Sequence, residues 1–207
     1  RAPWEWAGST VAIFLSGGRK GYGEPELLEV GKGPLGVLLG TFAGGPALDL
    51  AAVSFYDDAV VVFEGDGRGG FAQVARLDTG QGPIDLAAGD VDGDGDTDLA
   101  VADRLDNAVT VFVAGEGGFE VRSKVPVGLV PDYIMLEDLD GDRIPELLTA
   151  NGGSPATVSV NRGLGDGTFG PGAFAGAGHC VNALDVADVD GDGDLDVLAA
   201  NSGGWSA

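Results

Sequence analysis

The run Asp90-Val-Asp-Gly-Asp-Gly-Asp-Thr-Asp98 is the key to the whole chain. It returns as Asp138-Leu-Asp-Gly-Asp-Arg-Ile-Pro-Glu146 and Asp188-Val-Asp-Gly-Asp-Gly-Asp-Leu-Asp196, and in degenerate form as Thr41-Phe-Ala-Gly-Gly-Pro-Ala-Leu-Asp49. The four copies start 49, 48 and 50 residues apart. A second landmark keeps the same count: short apolar segments beginning at Val11, Val60, Val109 and Thr157 are each followed by glycines and an aromatic. Those aromatics, Tyr22, Phe71, Phe119 and Phe169, are also 49, 48 and 50 apart. Two landmarks sharing one period define one unit present four times.

Within a unit the apolar segments are four to seven residues long, rich in Val, Leu and Ala, and bounded by Gly, Pro, Asp or Asn. That pattern predicts strands rather than helices. In the second full unit strand A covers about 84–89, B about 98–102, C about 108–113 and D about 120–127. Four antiparallel strands per repeat of this length describe a blade, and the fold class is an all-β propeller of four-stranded antiparallel blades. Strands A to D run in order over about 34–79, 83–127 and 131–176, whereas 1–31 supplies only C and D and 181–207 only A and B. The termini therefore carry complementary halves of one blade. The halves leave four outcomes open: closure within the chain, closure between two chains into an eight-bladed ring, open head-to-tail addition, or a fragment of a larger propeller.

Composition agrees with a folded, acidic β protein. Among 207 residues there are 38 glycines, and 33 Asp plus Glu against 11 Lys plus Arg leave a net charge of −22. An acidic surface excludes nucleic-acid partners, which need clustered cations, and is repelled by anionic lipid. The apolar stretch from Gly33 to Phe55 is long enough to span a bilayer, but its glycines and prolines and its place in the repeat assign it to strands. The single Cys180 excludes an intrachain disulfide, and with His179 it reads as a turn residue followed by a partly buried thiol. Trp4 and Trp6 alternate as residues of one strand face do.

The acidic runs point to a cation. Asp90, Asp92, Asp94 and Asp98 occupy loop positions 1, 3, 5 and 9, with the carbonyl of Asp96 at position 7. So many hard oxygen ligands suit Ca²⁺, which takes six to eight of them. Asp188, Asp190, Asp192, the carbonyl of Asp194, and Asp196 repeat the set, which makes two strong sites expected. Asp138, Asp140, Asp142, the carbonyl of Ile144, and Glu146 form a third, weakened by Arg143 in place of a glycine. The Thr41 copy keeps only Asp49 and is expected to bind no metal, so Asp90→Ala and Asp188→Ala should each cost more stability than Asp49→Ala. Position 12, where an EF-hand keeps its bidentate Glu, is Val101, Thr149 or Ala199. The position 9 carboxylates are thus the expected bidentate ligands.

These units resemble FG-GAP or VCBS repeats, the Ca²⁺-loop blades of integrin α-subunit propellers and of many bacterial surface proteins. Phe169-Gly170 and Tyr22-Gly23 stand where that family keeps Phe-Gly, and Gly33-Pro34 and Gly82-Pro83 stand where it keeps the later Gly-x-Pro element; Phe71-Ala72 and Phe119-Glu120 depart from it. The resemblance covers nearly the whole chain. It implies a non-enzymatic extracellular or cell-surface module that adheres to a protein or glycan partner. Two alternatives stand beside that reading, a structural subunit joined through its split blade into a ring or fibre, and an accessory domain of a secreted carbohydrate-active enzyme. The metals lie at the A–B loops, so the opposite face is the expected ligand face, with Tyr56, Arg104, Asn107, Asn151 and Trp205 as its candidates.

Overall fold

The computed structural model describes residues 8–202, and Trp4, Trp6 and Trp205 lie outside them. Among the described residues the chain is all-β apart from one short 3₁₀ turn at Gly18–Lys20. It opens with a two-stranded sheet, β1 (Thr10–Ile13) and β2 (Glu26–Glu29). Three four-stranded antiparallel sheets follow: β3 (Pro34–Gly40), β4 (Asp49–Ser54), β5 (Ala59–Gly65) and β6 (Phe71–Asp78); β7 (Pro83–Gly89), β8 (Asp98–Asp103), β9 (Ala108–Val113) and β10 (Glu120–Pro126); β11 (Pro131–Glu137), β12 (Glu146–Asn151), β13 (Thr157–Asn161) and β14 (Ala173–Gly176). A two-stranded sheet, β15 (Val181–Ala187) and β16 (Asp196–Asn201), completes the series. Strand order within each sheet is sequential, as a propeller blade requires.

The first strands of consecutive sheets lie against one another, β3 on β7, β7 on β11 and β11 on β15, which makes them the crowded inner edge. At Gly36 a Cβ would come within 2.9 Å of the Ile84 carbonyl oxygen and 3.0 Å of the Asp85 Cα, so only glycine permits that approach.

Both faces of β4, β5, β8 and β9 are covered, which explains why they read as nearly continuous apolar runs rather than alternating ones. In β5, Val60 and Val62 pack toward β7 and β8 with Leu86, Leu99 and Val101. Val61 and Phe63, pointing the other way, pack with Leu28 and Val30 of the N-terminal hairpin. The pattern repeats one blade on, with Val109 and Val111 directed toward Ile134 and Leu147. Leu148, Ala150 and Val158 then cover Val181 and Leu184 of the last sheet.

The observed strands of the second full unit match the expected ones to within a residue at either end. The Gly33–Phe55 stretch forms β3 and β4, and no helix is long and apolar enough to cross a membrane among the described residues. Closure within the chain is not what the structure shows: β1–β2 and β15–β16 are separate sheets with no ladder between them among the described residues. Cys180 is exposed in a left-handed turn at φ 43°, not partly buried as expected.

Candidate metal centres

Each acidic loop joins the first two strands of a sheet and is shaped by its own carboxylates. Asp90 accepts the N–H of Gly93 at 2.7 Å and of Gly95 at 3.0 Å, and Asp94 accepts that of Asp96 at 2.8 Å. Gly93 and Gly95 adopt φ of 79° and 94°, and this left-handed backbone turns the chain back around the carboxylates. The last loop repeats the geometry, with Asp188 accepting Gly191 N–H at 2.7 Å and Gly193 N–H at 3.0 Å. In the middle loop Arg143 takes the place of the second glycine at φ 75° and still donates its N–H to Asp138 at 2.9 Å.

Three groups of carboxylates converge, with ligand oxygens within 4.8 Å of one another: Asp90, Asp92 and Asp94; Asp138, Asp140 and Glu146; Asp188, Asp190 and Asp196. Such groups can hold a metal ion. Their donor chemistry, all hard oxygen, fits Ca²⁺. An independent observation supports the fit in the middle loop, where Glu146 is buried, its Oε2 accepts the N–H of Leu139 at 2.9 Å, and its Oε1 has no partner. A buried carboxylate oxygen without a donor is costly unless a cation meets it. In the first loop burial pushes the Asp92 carboxyl above its ordinary range against the lowering effect of the Asp94 N–H, and the charges of Asp94 and Asp90 add to the rise.

The structure divides the position 9 carboxylates. Glu146 and Asp196 join their clusters, whereas Asp98 turns both oxygens to the backbone, accepting Val91 N–H and Ala114 N–H, each at 2.8 Å. Burial pushes Asp98 up to about 6 against the lowering effect of those two bonds. Asp49 occupies the same position in the degenerate loop. It is fully buried and accepts three N–H groups, from Phe42 at 2.9 Å, Ala43 at 2.7 Å and Gly65 at 3.0 Å. At Asp49 and Asp98, position 9 is therefore a clamp that ties the loop to the end of the third strand. Asp142 also leaves its expected role: it lies outside the middle cluster and is held below the ordinary carboxylate range by the Ile144 N–H, with further lowering from Arg162. Arg162 reaches Asp142 at 3.3 Å and Asp140 at 3.4 Å. By strand register the equivalent positions hold Glu64 and Val113, and only contact distances show that Arg162 meets the loop.

On the opposite face the five ligand candidates separate. Tyr56 and Arg104 line one pocket of ≈ 360 Å³ together with Pro34, Leu35, Phe55 and Ile84. Arg104 Nε is 2.6 Å from Asp132, and Tyr56 stacks edge-on against Phe55 with ring centroids 5.0 Å apart. Asn107 is a turn residue at φ 54° whose Oδ1 accepts the Val130 N–H at 2.8 Å. Asn151 is buried in a hydroxyl network with Thr149, Thr157 and Ser159. Neither reaches the pocket, and Trp205 lies outside the described residues.

With these loops in place the sequence comparison becomes decisive: a family model described as an FG-GAP-like repeat matches residues 46–101 and 138–199, more than half of the chain. The chain belongs to the FG-GAP-like repeat family. No curated protein matches it significantly. As an FG-GAP-like repeat protein it shares its fold with several solved structures. A candidate 6-phosphogluconolactonase from Bacteroides uniformis superposes with a TM-score of 0.72 at 14% identity, covering 94% of this chain and 58% of that one. A periplasmic gluconolactonase from Pseudomonas aeruginosa gives 0.63 at 18% identity over 92% and 51%. A functionally unknown protein from Desulfotomaculum acetoxidans gives 0.61 at 15% identity over 82% and 50%. The chain thus spans between half and three-fifths of the length of these structures. Two of them carry lactonase names, which corrects the expectation of a non-enzymatic chain: the fold is one that serves enzymes, and nothing in it excludes catalysis.

Proposed function

We propose that this FG-GAP-like chain is a calcium-stabilised propeller segment that presents a ligand-binding face at or outside the cell surface. The observation that carries this reading is the convergence of three carboxylate groups at one repeat position, one of them with a buried, unpartnered Glu146 oxygen. Asp90, Asp92 and Asp94, then Asp138, Asp140 and Glu146, then Asp188, Asp190 and Asp196 would hold the ions, with the carbonyls of Asp96, Ile144 and Asp194 as further donors. Bound Ca²⁺ supplies charge neutralisation that lets anionic loops stay folded on a chain of net charge −22. Exposed carboxylate loops of this kind suit millimolar Ca²⁺ outside the cytosol, and the Pseudomonas relative in fold is described as periplasmic.

The ligand face is the one opposite the ions. Its pocket offers Tyr56 and Phe55 as apolar platforms and the Arg104 guanidinium at the rim, a combination that stacks on and hydrogen-bonds a sugar or an acidic side chain of a partner protein. The first test is thermal unfolding with excess Ca²⁺ and with chelator. A ligand held only by the folded state stabilises it by about 2.7 kcal/mol per site at a hundred times its Kd. The melting temperature is expected to fall on chelation and to recover when Ca²⁺ is restored; an unchanged value in both buffers would overturn the proposal.

A further inference from the structure

Two successive blade junctions are built from the same parts and filled differently. Between the second and third whole blades, the hairpin that follows β13 reaches back onto β10. Arg122 donates its Nε–H to the Asp166 carbonyl at 2.6 Å, Ser123 donates its hydroxyl to the Gly167 carbonyl at 2.9 Å, and the Gly167 N–H donates to the Val91 carbonyl at 3.1 Å. A Cβ at Gly167 would stand 2.6 Å from Arg122 Cγ and 2.9 Å from Val113 Cγ1, so that junction is closed. Between the first and second whole blades the register puts Ala75 where Ser123 stands, and Val74, the unpaired residue of the corresponding bulge, where Arg122 stands. Neither side chain can donate a hydrogen bond. The 114–119 hairpin is also one residue shorter than its counterpart, since Phe119 follows Phe112 by seven positions and Phe169 follows Asn161 by eight. It makes no hydrogen bond to the first whole blade among the described residues.

The result is a cavity of ≈ 610 Å³ on the face of the acidic loops, with Phe42, Val74, Ala75, Asp96, Glu116 and Phe119 in its wall. Val74 is left 50% exposed. Counted back from the aromatic, Glu116 and Gly117 correspond to Asp166 and Gly167. The carbonyls that meet Arg122 and Ser123 at one junction therefore have no side-chain donor at the other. Asp96 and Glu116 take part in no ion pair among the described residues. We propose that this cavity is a docking site for an arginine side chain presented by a basic partner protein. Its guanidinium takes the place that Arg122 holds one blade on, donating to the carbonyls of Glu116 and Gly117 and pairing with the Glu116 carboxylate. A planar fork of five N–H donors serves carbonyl and carboxylate together, which a lysine ammonium does less well. The Phe42 and Phe119 rings offer the apolar surface on which a guanidinium stacks. A net charge of −22 steers a basic partner toward the chain, and the unfilled junction is where its arginine fits. The site is separate from the pocket of Tyr56 and Arg104, lies between two complete sheets, and needs no bound ion.

The probe is the peptide acetyl-Gly-Arg-Gly-amide, titrated into the isotope-labelled 207-residue chain while backbone amide shifts are followed by NMR. Its citrulline counterpart keeps the shape of the side chain without the charge. The arginine peptide should shift the amides of Gly44, Gly95, Gly115 and Gly118 and leave those around Tyr56 unmoved, and the citrulline peptide should shift none of them. Glu116→Gln, on an exposed side chain, should weaken binding about tenfold. Val74→Arg with Ala75→Ser should carry the filling of the next junction into this one, ending the peptide's shifts while the melting temperature holds or rises. If that double variant folds poorly, Glu116→Gln decides alone. Asp78→Asn, at the opposite end of β6, removes the same charge and should leave binding unaltered, which separates docking from general attraction to an acidic chain. An absence of shifts, equal shifts with the citrulline peptide, undiminished binding in Glu116→Gln or in the folded double variant, or an equal loss in Asp78→Asn would each overturn the proposal.

Discussion

Asp49→Ala should be among the most damaging single changes in the molecule, although its loop is the one without a carboxylate cluster. The carboxylate is fully buried and holds Phe42 N–H, Ala43 N–H and Gly65 N–H at 2.9, 2.7 and 3.0 Å. Removing it orphans three donors, each worth about 1–3 kcal/mol when buried. The Phe42 N–H is buried outright, while those of Ala43 and Gly65 are partly so and can be rehydrated in part. A loss of about 2 kcal/mol for the first and about 1 for each of the others gives roughly 4 kcal/mol. The Phe42 ring, which sits in the core between the first two whole blades, would be freed from the register the clamp imposes. For a chain of this size that is a fall in melting temperature of about 8–16 °C. Urea unfolding and thermal melts in Ca²⁺ and in chelator check it. The drop should be the same in both buffers, because no ion passes through Asp49. Asp90→Ala, whose bonds are to exposed turn amides, should lose under about 1 kcal/mol in chelator and appreciably more in Ca²⁺. A loss below about 1 kcal/mol for Asp49→Ala, or one seen only with Ca²⁺, would refute the clamp.

Arg162→Gln should tighten the middle loop for Ca²⁺. A guanidinium nitrogen 3.3–3.4 Å from the Asp142 and Asp140 oxygens would lie about 6 Å from an ion bound there, where the repulsion is about 1.4 kcal/mol in a water-like medium, or tenfold in Kd. Calorimetric titration would show one of three sites shifting while two stay put; no shift would reject the role of Arg162. Asp103 gives a pH signature. Burial pushes its carboxyl up to about 6, against the lowering effect of the Thr110 hydroxyl and the Lys124 charge, so the folded state holds its proton more tightly than the unfolded one. The resulting stabilisation is complete below about pH 4 and lost by about pH 6, a difference of roughly 3 kcal/mol. Asp103→Asn should flatten that part of the stability profile in calcium-free buffer, and an unaltered slope would count against it.

Local chemistry was enough to read the blade. An Asp-Gly turn, an apolar run and a glycine-aromatic pair each specify their own short segment, and a shared period then orders them, so the strands and the acidic loops are legible in the sequence. Glu146 and Asp196 were placed in their clusters on the same basis. The linear pattern misleads where a side chain's partner lies in another strand or another blade. Asp49 and Asp98 look like a lost ligand and a bidentate ligand in the linear pattern. In the structure both are backbone clamps, because the amide nitrogens of Gly65 and Ala114, sixteen residues on, come home beside them. Asn151 looks like an exposed turn residue, yet it is buried by hydroxyls of its own sheet. Arg162 became visible only once the end of β13 met the loop before β12.

The repeat period, the strands and the clustering of acids are properties of contiguous residues, and the covalent chain carries them whole. Which carboxylate faces a cation and which holds an amide, and which pocket joins Tyr56 to Arg104, depend on distances between residues tens of positions apart. Those distances exist only after the sheets have packed, so no local pattern could contain them.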